Sequence, residues 1–531
     1  MRHLSITLAT ILPITLLTAC GGGSSNGSNG PESTYSIGGT ASGALTQGLT
    51  LENNGSDSLP VAGVSFEFNT QLANGDNYDV TVSAHPDQQL CSVTDGSGVV
   101  AGADVDNIEV LCRYWRAETL IENLNIGHSR FPQVATDGNG NTLAVWRTND
   151  GSYESLYANY YDASTGNWGT ETLIESGNAG HAVSPAIAFD NSGNATVVWA
   201  QHDGTNYNIY ANRYSPSTGW GTEALIESGN AGDAASPQIA FDNNGNAIAI
   251  WTQNDGTHDS VYANRYTPAN GWGAEELIET GNSGDATQPK IAFDNAGNAI
   301  ATWSQDTGGY NDVLTNRYTP ASGWGSETLV ANGNQGGAFD PQIALDANGN
   351  GTLVWREHDG AKDSLYASRY TASTDSWGAE VLLENGNNGH ARTPRVAVDN
   401  DGNAIAVWVQ EEISIRTSIY ANRYTAATDS WGSETLLESG EDGHARQPQI
   451  VINEDGNALV VWMQSDSVSS NLLYTNIYIA QTGTWGTETL VENTTTAAEH
   501  PQLVMDDHGN ATVVTQRFDG SNLNIHANRF E

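Results

Sequence analysis

All fifteen tryptophans fall at two positions of a unit copied eight times, and no other feature constrains the fold as strongly. Trp146, Trp199, Trp251, Trp303, Trp355, Trp408 and Trp462 each end an apolar run, with Thr515 in the eighth copy. The other eight, from Trp115 and Trp168 to Trp485, each open a segment like WGxExLIE, so no tryptophan is left over for a unique active site. Strand-like content repeating about every 52 residues is the signature of a propeller or a β-solenoid.

One copy, Pro237 to Glu279, divides at its turn residues into four strands: Pro237 to Asp242, Ala247 to Thr252, Ser260 to Thr267 and Ala274 to Glu279. Every first strand opens with a proline, Pro132 in the first copy and Pro501 in the last, and proline is tolerated at the first residue of a strand because it has no N–H to pair. The first two strands are apolar on both faces, as expected where blades stack on each other. DxxGN, DG and PxxG turns make successive strands antiparallel neighbours. The Gly-rich link between copies, such as Ser228 to Ser236, can cross the roughly 14 Å from the outer edge of one blade to the inner edge of the next. The array begins with a lone fourth strand, Trp115 to Glu122, and ends with a three-strand set, Pro501 to Glu531. Pairing the two leaves few exposed edges, whereas an open solenoid would need polar caps that neither end shows. The expected fold is all-β. It is an eight-bladed β-propeller over 114–531, with four-stranded antiparallel blades closed by the N-terminal strand joining the C-terminal three.

The segment 1–20 has Arg2, an apolar stretch from Leu4 to Leu17 and a small-residue end, which reads as a secretory signal. Its Leu17-Thr18-Ala19-Cys20 resembles the bacterial lipobox, which implies lipid attachment at Cys20; with Gly21 following, it implies the outer membrane, on either leaflet. Residues 21–33 are a flexible Gly/Ser tether. Residues 34–113 alternate in short runs such as Val64 to Phe68 and read as a small β-sandwich. Cys91 and Cys112, the only other cysteines, are expected to form a disulfide in the oxidising compartment, worth on the order of 3 kcal/mol. The wording YSIGGTASGALTQGLTLENNG resembles an Ig-like module that follows the lipobox in proteobacterial lipoproteins, which implies a spacer.

A net charge of −43 repels nucleic acid and anionic membrane surfaces. The DxxGN segments at Asp190, Asp242 and Asp294 are weak calcium candidates, since each offers one carboxylate where calcium loops offer several, and a hairpin-capping aspartate is the alternative. These segments loosely resemble the sialidase Asp-box, but the tryptophan comes six residues after the glycine, as in Gly245 to Trp251, so no catalytic set carries over. The recurring YANRY arginine, Arg213 for example, is expected to bridge to Glu223 or Glu227 of the fourth strand. No nucleophile elbow, zinc-protease or phosphate-loop motif stands in a fitting context, so no catalytic residue and no cofactor is assigned and an enzyme is not expected.

The sixth and seventh copies break the DG turn between second and third strands, at Glu411 to Arg416 and Ser465 to Val468. With His390, Arg392, Arg395, Arg416, His444 and Arg446 they suggest a basic sector for an anionic ligand or partner. The phrases DxxGNAxAVW and IYANRYTxxxxWGxETLIE resemble bacterial secreted and lipoprotein propellers of unassigned function, which implies fold and location. The expectation is a monomeric, non-catalytic binding or scaffold propeller of the cell envelope, held to the membrane by its lipid, with an envelope protein or a glycan as partner. The alternative is a multivalent, lectin-like carbohydrate-binding propeller, and behind it a hydrolase or lyase acting on polysaccharide.

Overall fold

The computed structural model describes residues 33–531 apart from 44–46, 125–126, 150, 177–179, 229–231, 282–283, 334–335, 386–388, 413–415, 439–442, 466–470 and 492–495. Cys20 and parts of both irregular turns, in the sixth and seventh copies, lie outside the described residues. Among those described there is no α-helix, and hence no helix long and apolar enough to cross a membrane.

Residues 34–113 form two four-stranded sheets. One runs in the order Ser65–Glu67, Ile37–Ser42, Val105–Arg113, Leu90–Thr94, and the other Asp57–Pro60, Thr50–Asn53, Asn77–Ala84, Ser97–Val99. Ile37, Leu51, Phe68, Val80 and Ile108 fill the space between them. Cys91 and Cys112, 21 residues apart, face each other on adjacent antiparallel strands and are disulfide-bonded.

Each repeat is an antiparallel sheet in chain order. In the third copy it comprises an inner strand Ala234–Phe241, then Ala247–Asn254, then Asp259–Thr267, and an outer edge in two pieces, Gly271–Trp272 and Glu276–Leu277. The eighth copy has three strands of its own, Ala498–Met505, Ala511–Phe518 and Leu523–Phe530, and its fourth is Thr119–Leu120 from the start of the repeats. Thr119 pairs with Ala527 and Leu120 with His526, and Trp115 bridges to Phe530. The same cross-sheet bonds recur at the joint this pairing makes. Asn212 Nδ2 donates to Ile174 O of the preceding sheet at 2.9 Å and Asn264 Nδ2 to Ile226 O at 2.6 Å. Between the eighth and first sheets, Asn159 Nδ2 donates to Ile121 O at 2.7 Å. The carboxylate of Glu223 accepts from Ser176 N at 2.8 Å, and that of Glu171 from Asn123 N, also at 2.8 Å.

The second-strand tryptophans are fully buried between sheets. Trp199 packs on Val145 and Ala158 of the preceding copy and donates from Nε1 to Gln201 Oε1 at 2.9 Å. Burying about 200 Å² of indole is worth on the order of 5 kcal/mol before entropy, repeated at seven joints. In the eighth copy Thr515 and the buried Arg517 replace this pair, and Arg517 Nε lies 3.1 Å from Glu118.

Two expectations are corrected here. The proline does not open the inner strand: the strand begins three residues earlier, at Ala234 where the proline is Pro237. The residue before each proline takes a left-handed backbone, from Phe131 at φ 52° through Ser236 at 53° and Thr393 at 49° to His500 at 52°. The register slips at the same place, between Ala235 and Gln238 in the third copy. This is a β-bulge, where an absent N–H breaks no ladder bond, and it re-aims the following residue.

The YANRY arginine does not bridge to the fourth strand. Arg213 pairs with Asp190 of its own hairpin, and its guanidinium carbon lies 5.0 Å from the ring centre of Tyr266 in the next copy. Arg369 sits 4.4 Å over Tyr424, and Arg529 of the eighth copy 4.1 Å over Tyr161 of the first. The reason is register. The outer-strand glutamate lies beside the start of the third strand, as Glu279 does where it accepts from Val261 N at 3.3 Å, whereas the arginine lies at that strand's end. There a cation can stack on the neighbouring ring.

Candidate functional site

The basic side chains proposed from the irregular turns do not converge on one site. Arg392 lies 3.2 Å from Glu411 and Arg416 3.0 Å from Glu438. His390 Nδ1 accepts from Asp363 N at 3.1 Å, a position that Asp233 fills in another copy by accepting from Tyr207 N at 2.8 Å. His444 Nδ1 lies 3.4 Å from Thr417 Oγ1 and Arg446 is exposed at its strand end. Arg395 points elsewhere, into the channel described below.

The three calcium candidates are hairpin caps. Asp190 Oδ1 accepts from Ser192 N and Asn194 N, each at 2.9 Å, and its second oxygen holds Asn194 Nδ2 at 3.1 Å and the Arg213 guanidinium. Asp242 and Asp294 accept in the same pattern, from Asn246 and Asn298. Among the described residues no group of three His, Cys, Asp or Glu side chains is placed to hold a metal.

A cavity of about 570 Å³, the channel, is walled by residues from the first strands of seven copies, with Arg147 of a second strand. The residue after the bulge proline lines its wall in six copies: Gln133, Gln238, Gln342 and Gln502 are glutamines, but Lys290 and Arg395 stand at the same position in the fourth and sixth copies. Among the described residues Lys290 Nζ donates to Gln238 Oε1 at 3.3 Å, and Arg395 Nη1 donates to Pro394 O at 2.8 Å. Asp340, between them on the fifth copy, is engaged by Arg356 and by the Gln288 amide. Burial lowers the Lys290 amine to about 8, helped by Arg395 and opposed by Asp340, and burial also lowers Arg395. Arg147, the third cation of the wall, pairs with Glu154 at 2.8 Å and stacks 4.2 Å over Phe131. The signal in the sequence was a change of residue type at one fixed repeat position. Arg395 is among the residues expected from the sequence, whereas Lys290, outside the two irregular copies, is not.

Two further cavities lie at the outer edge between neighbouring sheets, of about 600 Å³ between the first and second copies and about 470 Å³ between the fourth and fifth. Both are built from the same repeat positions. Tyr214 and Trp220, with ring centres 5.4 Å apart, wall one, and Tyr370 and Trp377, 5.3 Å apart, wall the other. Trp220 Nε1 donates to Thr172 Oγ1 and Trp377 Nε1 to Thr315 Oγ1, each at 3.0 Å, which leaves the ring edges half-exposed with hydroxyls beside them. Tyr160 in the first groove is replaced by Arg317 in the second.

No protein-family model and no curated protein matches the chain. Among solved structures it is similar to a protein of unknown function from Dyadobacter fermentans, at 13% identity and TM-score 0.40, covering 79% of this chain and 99% of that one. It is also similar to the polysaccharide lyase Uly1, at 10% identity and TM-score 0.44, covering 68% of this chain and 98% of that one. The NanB sialidase from Streptococcus pneumoniae matches at 11% identity and TM-score 0.35, covering 78% of this chain and 70% of that one. At these identities the likeness speaks to a β-propeller fold alone. The expectation of a non-catalytic scaffold with an anionic-partner sector on the sixth and seventh copies is corrected. Four of the six residues of that sector are held by neighbouring side chains or backbone, and one lies in the channel.

Proposed function

We propose that the chain is a carbohydrate-binding propeller of eight blades, carried by an Ig-like spacer from a lipid anchor at Cys20 in the outer membrane. The observation that carries this reading is the pair of grooves made from the same repeat positions in different copies, each with a Trp and Tyr wall beside hydroxyl groups. The half-buried indoles of Trp220 and Trp377 suit the apolar side of a sugar ring, and Thr165 and Asn167 in one groove, Ser322 and Asp375 in the other, suit its hydroxyls. A site repeated around a ring binds a repeating polymer with avidity, so immobilised glycan is held more tightly than free oligosaccharide by about 10²-fold or more. The eight-bladed reading is supported by eight repeat sheets of which the last takes its outer strand from the first residues of the array.

The test is a glycan array probed with the full chain and with Trp220→Ala, Trp377→Ala and Asn167→Ala variants whose melting is checked in parallel. Retention of glycans by the native protein, weakened by each variant that still folds, supports the reading. An array on which no glycan is retained, or on which all three variants bind as the native chain does, overturns it.

A further inference from the structure

The channel differs from the grooves in kind. It is single, it lies on the inner strands, and its distinctive residues depart from the repeat instead of following it. The wall carries three cations, Arg147, Lys290 and Arg395, against one carboxylate, Asp340, in a protein of net charge −43. Arg147 is held by Glu154, and Asp340 is taken up by Arg356 and Gln288. Lys290 and Arg395 make no ion pair among the described residues; what each reaches is a neutral carbonyl oxygen. The two half-buried cations flank one copy whose single wall carboxylate, Asp340, is already engaged by Arg356 and Gln288, and a bound anion would offset the remaining charge imbalance. An arginine fork and a lysine point charge together suit the planar or tetrahedral oxygens of a carboxylate or sulfate.

The rest of the wall indicates what carries the anion. Gln133, Gln238, Gln342 and Gln502 offer both donors and acceptors from several directions, and Ser184, Ser236 and Thr393 add hydroxyls. A volume of about 570 Å³ accommodates a few sugar rings. From these observations we infer that the channel is a second, single binding site that takes an acidic saccharide, with its carboxylate or sulfate between Lys290 and Arg395. The site shares no residue with the rim grooves and stands or falls apart from them.

The test is titration calorimetry of the full chain with trigalacturonate, with its methyl ester, and with a sulfated trisaccharide of the same length. Variants Lys290→Gln, Arg395→Gln and the double variant restore the residue that Gln238 and Gln342 already carry at this position, so folding is expected to be retained and is checked by melting. At least one acidic trisaccharide binds, the neutral ester binds at least tenfold more weakly, each single variant loses tenfold or more, and the double variant loses binding altogether. Which acidic probe binds identifies the source of the oxyanion. Equal binding of acid and ester, native affinity in the double variant, or failure of both acidic probes to bind the native chain overturns the proposal.

Discussion

Glu122, Glu175 and Glu227 each lie two residues past an outer-edge strand and each is buried, and burial raises their carboxyls to about 7, 7 and 8. Glu279, Glu384 and Glu438 in other copies are raised for the same first reason. An acid whose folded value lies above its unfolded one binds its proton more tightly when folded. Its stabilising contribution is complete below pH about 4.5 and is lost as pH rises through 7 to 8. The melting temperature is therefore expected to fall by several degrees between pH 5 and pH 9, and a Glu175→Gln, Glu227→Gln double variant to melt with a visibly flatter pH profile in scanning calorimetry. A pH profile unchanged by the double variant would contradict the assignment. A second residue-scale test concerns His181, whose Nδ1 accepts from Glu154 N at 3.1 Å. In another copy Asp285 accepts from Asp259 N at 3.0 Å in the same role. His181→Asp is expected to keep stability within about 0.5 kcal/mol in urea unfolding, and His181→Leu to lose roughly 1 kcal/mol by leaving the amide unpaired.

The bulge at each proline is the element that sequence patterning described least well. A proline at the head of an apolar run reads as a strand start, and one inside an inner strand is accommodated only where the ladder is already interrupted. What could not be read is that the interruption turns Lys290 and Arg395 toward the channel, because alternation cannot be counted across an unrecognised extra residue. The arginine of the third strand was misassigned for a related cause. Charge complementarity pointed to a glutamate, while register put Tyr266 of the next copy within 5.0 Å instead. A left-handed backbone is least suited to a β-branched side chain, and Thr393 holds one at φ 49° with its hydroxyl buried and unpaired. Thr393→Asn is expected to raise unfolding free energy by roughly 1 kcal/mol, measured by denaturant titration. Thr393→Val, which keeps the strain, is expected to give no such gain.

The array as a whole was legible in the tryptophan spacing and in the complementary ends, because each copy must bury an indole against its neighbour and a lone strand must find a sheet. The pairing of Thr119–Leu120 with Leu523–Phe530 makes the two ends of a linear series mutually dependent. Ending the chain before Leu523 is expected to abolish the single cooperative melting transition or lower it by at least about 10 °C, since Trp146 then loses its contacts with Ile525 and Ala527. A truncated protein that melts as the native chain does would count against that dependence. Arg113 Nε donates to Asn510 Oδ1 at 2.8 Å and Leu90 joins the cluster of Leu459 and Phe530, so the small sandwich is seated on the hairpin-turn side of the seventh and eighth copies. The bulges that aim Lys290 and Arg395 lie in the opposite half of their strands. The cationic positions therefore lie on the side of the repeats away from the sandwich, which leaves approach to them independent of that seating.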